Sequence, residues 1–135
     1  MLQIFRVLGI LLVFAPSFAL AEMTQKYIDS IYTKPIFLDG NHKTINIALP
    51  VDSTDGYRWF LVSPDYDYIR PVSYEHESAN IEKSKYGGLD SFKLRAHDRF
   101  KKAPQKIILH FECFRPFESN PKIFKKDIIV LSLLN

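Results

Sequence analysis

Between Lys43 and Leu49 the chain alternates strictly, with Ile45, Ile47 and Leu49 on one side of an extended backbone and Thr44 and Asn46 on the other. Successive side chains of a strand point to opposite faces, so this is the pattern of a strand with one face buried. The same period recurs along the chain. Tyr57, Trp59 and Leu61 share a face of an expected strand at 57–62, with Trp59 as the natural core anchor. Phe92, Leu94 and Ala96 alternate with Lys93 and Arg95, and Ile107, Leu109, Phe111 and Cys113 alternate with Ile108, His110, Glu112 and Phe114. Ile128 to Leu131 is apolar on both faces, which places a last strand, 124–134, in the middle of a sheet. Two weaker strands are expected at 31–38 and 68–77; Pro71 denies the second a ladder donor and predicts an edge or a bulge. No stretch shows helical periodicity, and 22–30 reads as a polar, loosely held lead-in. The expectation is an all-β fold, an immunoglobulin-like antiparallel β-sandwich of about seven to eight strands.

How such a sandwich is stabilised follows from where the chain goes and what it lacks. The 135 residues open with MLQIFRVLGILLVFAPSFALA, which supplies a positive charge at Arg6, an apolar run from Val7 to Phe14, the helix breaker Pro16 and a small-x-small site at Ala19-Leu20-Ala21. These are the parts of a secretory signal peptide, residues 1–21, cleaved after Ala21. The run is shorter than the ~20 apolar residues that a spanning helix needs, so no membrane span is expected in the mature chain. The mature chain, 22–135, is then one periplasmic or secreted domain, monomeric when free. Cys113 is the only cysteine, so an oxidising compartment offers no intrachain disulfide, and the core must supply the stability. The formal net charge of +3 falls by one when Arg6 is removed, too small a charge to indicate nucleic acid or a membrane surface as partner.

If successive strands run in opposite directions, the connections alternate between the two ends of the sandwich. The second, fourth and sixth then lie together: 50–57, 78–88 and 114–121. Each has the look of a shaped turn. The first holds Asp52-Ser53-Thr54-Asp55-Gly56-Tyr57, the second Tyr86-Gly87-Gly88, and the third Arg115-Pro116-Phe117. Pro116 fixes its own φ and pushes Arg115 out of the helical region, so the third turn is stiff before it meets anything. Phe117 follows where a turn residue is expected to face water.

These residues resemble the chagasin family of cysteine peptidase inhibitors. The family's Asn-Pro-Thr-Thr-Gly-Tyr-x-Trp motif is matched at Thr54, Gly56, Tyr57 and Trp59, its Gly-x-Gly-Gly motif at Gly87 and Gly88, and its Arg-Pro-Trp motif at Arg115 and Pro116, with Phe117 in place of Trp. The resemblance spans about residues 40 to 131, with the motifs in order. It implies a wedge entering the cleft of a papain-like cysteine peptidase. The first loop would cover the catalytic Cys-His pair, the Gly-Gly loop would run along one side, and the Arg-Pro-aromatic turn would pack on the other. Phe117 would be the apolar anchor and Arg115 its charged companion. The chain departs from the pattern at Asp52 and Asp55, which bring carboxylates that either pair with an imidazolium or repel a thiolate, at Lys85, which replaces the first glycine, and at Phe117.

Plainer readings stand beside this one. Phe117 folds back into the sandwich or is exposed, and the neighbouring Arg-Pro favours exposure. Gly87-Gly88 serves an inhibitory loop or only a tight turn. A non-inhibitory binding module of the cell envelope or secretome would use the same three loops. Enzyme chemistry lacks a basis: Cys113 and His110, three apart on a strand, face opposite ways. The four histidines have no metal-ligand spacing, so neither a metal nor a cofactor is expected.

Overall fold

The computed structural model describes residues 23–52, 55–78 and 87–133. The expected signal peptide, together with Ser53, Thr54, Lys85 and Tyr86, lies outside the described residues. The elements are a helix α1 (Gln25–Ser30) and strands β1 (Ile36–Leu38), β2 (Thr44–Val51), β3 (Arg58–Val62), β4 (Ile69–Glu77), β5 (Gly88–Ala96), β6 (Gln105–Phe114) and β7 (Phe124–Ser132), with a 3-10 turn at Asp98–Lys101 before β6. The strands form two sheets, β1-β7-β6-β3 and β2-β5-β4, and so an all-β sandwich.

Alternation decides what lies between the sheets. Ile45, Ile47, Leu49 and Val51 from β2 and Phe92, Leu94 and Ala96 from β5 meet Trp59, Leu109, Phe111, Cys113, Phe124, Ile128 and Val130 from the other sheet, all buried. Phe92 and Phe111 touch edge to face across the gap, with centroids 5.0 Å apart. β7 is an inner strand, as its apolar run implies, yet its outward Ile129 is 37% exposed; one face of the sheet is open to solvent. β4 is an edge strand whose register slips between Pro71 and Ser73, the bulge that a proline without an N–H requires.

The departures from expectation have local causes. Only 36–38 of the expected strand 31–38 is extended in a sheet, because Tyr32 adopts φ 48 and breaks the run. β1 also pairs in parallel with β7, against the antiparallel expectation, so this one pair joins elements from opposite ends of the fold. The lead-in is not loose. Thr24 Oγ1 accepts the Tyr27 N–H at 3.1 Å and starts α1, and Ile28 on that helix is fully buried. A six-residue helix with one buried side chain has no period to detect. β1 pairs with β7 only from Val130 onward, so earlier backbone groups of β7 need other partners. Gln25 supplies them at Lys125: its side-chain amide donates to the Lys125 carbonyl at 2.7 Å and accepts the Lys125 N–H at 3.1 Å. One side chain thus makes the bonds of a missing strand residue. The charged connection at 97–103 hides Phe100, also fully buried, in its 3-10 turn. The β1–β2 turn is held by Asp39, whose Oδ1 accepts the N–H groups of Asn41 and His42 at 2.9 and 3.0 Å. His42, with Nδ1 at 2.6 Å, and these bonds keep the carboxyl below its usual range.

The sheets are also tied by polar contacts at one end. Asp90, with no exposed surface, reaches from β5 to β3, where its Oδ2 accepts the Trp59 N–H at 2.8 Å. Its Oδ1 accepts the Tyr74 hydroxyl at 2.9 Å and lies 2.5 Å from His76 Nδ1, both on β4. Trp59 returns the tie, donating Nε1–H to the Pro50 carbonyl of β2 at 2.7 Å. Removing a buried acceptor leaves every donor around it unpaired. Asp90→Ala is therefore expected to lower stability by about 3 kcal/mol, measured by urea unfolding; a loss under about 1 kcal/mol would show that the donors find other partners.

Candidate functional site

The strand register determines which connections meet. Val51, the end of β2, pairs with Gly88, the start of β5, so the connections 52–57 and 78–87 leave from the same end of their sheet. Arg58, the start of β3, pairs with Phe114, the end of β6, so 52–57 and 115–123 leave from the same end of the other. The Asp90 and Trp59 contacts lie just beneath this end and join the two sheets there. Asp52, Asp55, Gly56, Tyr57, Gly87, Gly88, Arg115, Pro116 and Phe117 are therefore carried on one end of the sandwich.

Within it the first and third loops touch. Phe117 is 71% exposed, and its ring edge lies against Gly56: a Cβ on residue 56 would sit 2.8 Å from Phe117 Cε1. Gly56 also has φ +80, so both its backbone and the ring above it require glycine. Arg115 turns back from the tip. Its guanidinium stands 5.0 Å over the Tyr57 ring, and its Nε lies 3.0 Å from Glu118 Oε1, an ion pair without the alignment of a hydrogen bond. Tyr57 in turn packs edge-on against Phe124, with centroids 5.7 Å apart. The Glu118 N–H donates to the Arg115 carbonyl at 3.2 Å and closes the turn around Pro116. Phe117 is thus held outward by a stack that runs from Arg115 through Tyr57 to Phe124 in the core.

On the second loop, Gly87 has φ +80 and Gly88 is the first residue of β5. The glycine pair combines a left-handed turn with the opening ladder pair to Val51, so Gly88 belongs to the strand and not to the turn.

Asp90, Tyr74 and His76 escaped sequence reasoning. Asp90 falls between the expected loop, which ends at Gly88, and the alternation that starts at Phe92, yet it stands in phase with the buried Phe92, Leu94 and Ala96; starting the strand at Gly88 finds it. The one Cys and its nearest His in sequence are kept apart by the alternation of β6. His110 pairs with Asp127 on the outer face, Nδ1 to Oδ1 2.7 Å, while Cys113 is buried on the inner one. Among the described residues, no group of three or more His, Cys, Asp or Glu side chains is placed to hold a metal, and no helix is long and apolar enough to cross a membrane. Among the described residues of this end, Phe117 is the most exposed aromatic ring. No protein-family model, curated protein or solved structure matches the chain.

Two outcomes are expected. Gly56→Ala strains the backbone and pushes the Phe117 ring aside, so it should cost about 1 kcal/mol in urea unfolding and shift the Phe117 ring resonances; unchanged resonances would show that the loops move independently. Burial pushes the Cys113 thiol up from 9.0 to about 12, with the nearby Asp90 adding to the shift. The folded state then holds this proton more tightly than the unfolded chain, so its contribution is intact below about pH 9 and is lost as pH rises toward 12. The urea midpoint should fall over that window, less steeply in Cys113→Ala; equal slopes would assign the fall to other groups.

Proposed function

We propose that the mature chain is a periplasmic or secreted inhibitor of papain-like cysteine peptidases, built on an immunoglobulin-like sandwich and blocking the active-site cleft with its three loops. The observation that carries this reading is Phe117: an aromatic ring 71% exposed at the tip of a proline-stiffened turn, braced from below and resting on the neighbouring loop. An exposed ring costs solubility and contributes nothing to the core, whereas a rigid aromatic anchor loses little entropy on binding. The motif resemblance supplies the target class, and the shared end of the three loops supplies a wedge of the right kind. A peptidase would be occluded rather than cut, because the turn around Pro116 is closed by its own hydrogen bond and ion pair.

Asp55, exposed on the first loop, is the residue in this reading that meets the catalytic pair. The brace and the anchor have separable roles: Phe117 touches the peptidase, and Arg115 and Tyr57 hold it in place. The test is inhibition of a panel of papain-like peptidases by the mature domain. Phe117→Ala should weaken inhibition by about thirtyfold or more, as loss of a central anchor does, and Gly88→Arg should abolish it. Asp55→Thr should change the inhibition constant in either direction. Absence of inhibition across the panel at micromolar concentrations sinks the inhibitor reading, and capture of some other envelope or host protein through the same loops would replace it with a non-inhibitory binding module.

A further inference from the structure

The outward face of the sheet β2-β5-β4 carries an arrangement that the loop end does not use. Register sets Thr44, Arg95 and Arg70 side by side across the three strands, and Asn46, Lys93 and Ser73 in the adjacent outward row. Arg70 and Arg95 are direct cross-strand neighbours, exposed, and like charges so placed destabilise a sheet. Lys93 is one outward step further along β5. None of the three forms an ion pair among the described residues, although Glu75 stands on the same face next to Ser91. Charge on an edge strand deters aggregation, and Arg70 alone would do that on β4. A second arginine and a lysine on the inner strand β5 are not explained by edge protection.

Beside these cations the same face is hollow. Ala48, Ser91 and Ser73 are too small to fill their rows, and a depression of about 260 Å³ opens above them, lined by Tyr32, Asn46, Ser73, Glu75, Ser91 and Lys93. Its wall is fixed at a cost. Tyr32 holds φ 48, a left-handed conformation that is a strain for a bulky residue, and its hydroxyl accepts the Ala48 N–H of β2 at 2.9 Å. The lining offers hydroxyls, an amide, a carboxyl and an ammonium group beside Tyr32, with Ile47 and Phe92 at its floor. Those are partners for a ring bearing several hydroxyl groups.

We infer that this face binds an acidic polysaccharide, with one sugar ring in the depression and the acidic groups of the chain along Lys93, Arg95 and Arg70. Arg70 and Arg95 are one strand spacing apart, about 4.8 Å, and Lys93 stands two residues along β5 from Arg95, about 7 Å, intervals that a chain carrying repeated carboxylates or sulfates can follow. A nucleic-acid duplex fits less well: three cations are few for a phosphate backbone, and the hollow is lined for hydroxyl groups. The site is independent of the proposed inhibitory end. The arginine row pairs at the far end of β2 and β5 from Val51 and Gly88, so a bound polysaccharide leaves the three loops free.

The experiment is titration of the mature domain with polygalacturonate and heparin, against dextran, a short DNA duplex and phosphatidylglycerol vesicles. Binding to at least one acidic polysaccharide is expected, weakening with salt, with none to dextran and at least tenfold less to DNA or vesicles. Arg70→Gln with Arg95→Gln should reduce that affinity at least tenfold and flatten its salt dependence by about two contacts, with inhibition of any target peptidase unchanged. Ser91→Trp, which fills the hollow and leaves the charges, should also lose at least tenfold. Equal binding to DNA or vesicles would reduce the face to general charge attraction and overturn the proposal. So would unchanged affinity in the arginine pair, or in Ser91→Trp with circular dichroism showing an intact fold.

Discussion

The two sheets meet through apolar packing over most of their area, but at the loop end they are joined by one buried carboxyl group. Asp90 reaches across from β5 to the Trp59 N–H of β3, and Tyr74 and His76 of β4 close around its other oxygen. A polar group so deep is stable only with all its partners in place, and those partners are on two strands, β3 and β4, one from each sheet. Apolar packing alone tolerates small rotations of one sheet over the other. Four directional contacts, with the Trp59 to Pro50 bond among them, do not. The strand ends that carry the loops stand next to these contacts, so directional bonds as well as core packing fix the separation of those ends.

Above that level the first and third loops share one device. Arg115 could have projected into solvent, but it lies over Tyr57, which lies against Phe124, and Phe117 is left outside with its ring edge on Gly56. Turning the charged neighbour back over Tyr57 and exposing the apolar one reverses the usual order of a surface turn. It is intelligible if the turn exists to present the ring. Pro116 and the Arg115 to Glu118 contacts make the presentation rigid before any partner arrives.

The fold was legible wherever alternation ran long enough to measure. Ile45, Ile47 and Leu49 gave β2, Leu109, Phe111 and Cys113 gave β6, and Pro71 gave both the edge and the bulge of β4. The shared end of the three connections followed from strand parity. What was illegible was held by single residues. Ile28 anchors a one-and-a-half-turn helix and Phe100 a 3-10 turn, each the only buried side chain of its element, so no period exists to be read. Tyr32 ends an otherwise plausible strand by taking a backbone conformation that residue preferences argue against. In the loop end, Gly56, Gly87 and Pro116 announced turns by their chemistry, whereas the stacking of Arg115 on Tyr57 joins residues far apart in the chain and needed coordinates.

The Gln25 side chain that completes the ladder of β7, and the parallel pairing of β1 with the same strand, join the first elements of the fold to the last. Contacts of such wide sequence separation close large loops, and loop closure is what makes β-sandwich folding slow. Until β7 is available, α1 has no edge to cover and β1 has no neighbour, so neither can be ordered early. A chain built in this way stays open through most of its synthesis and closes late, in one cooperative step. The pairing that seals the finished domain thus leaves the unfinished one open at that edge.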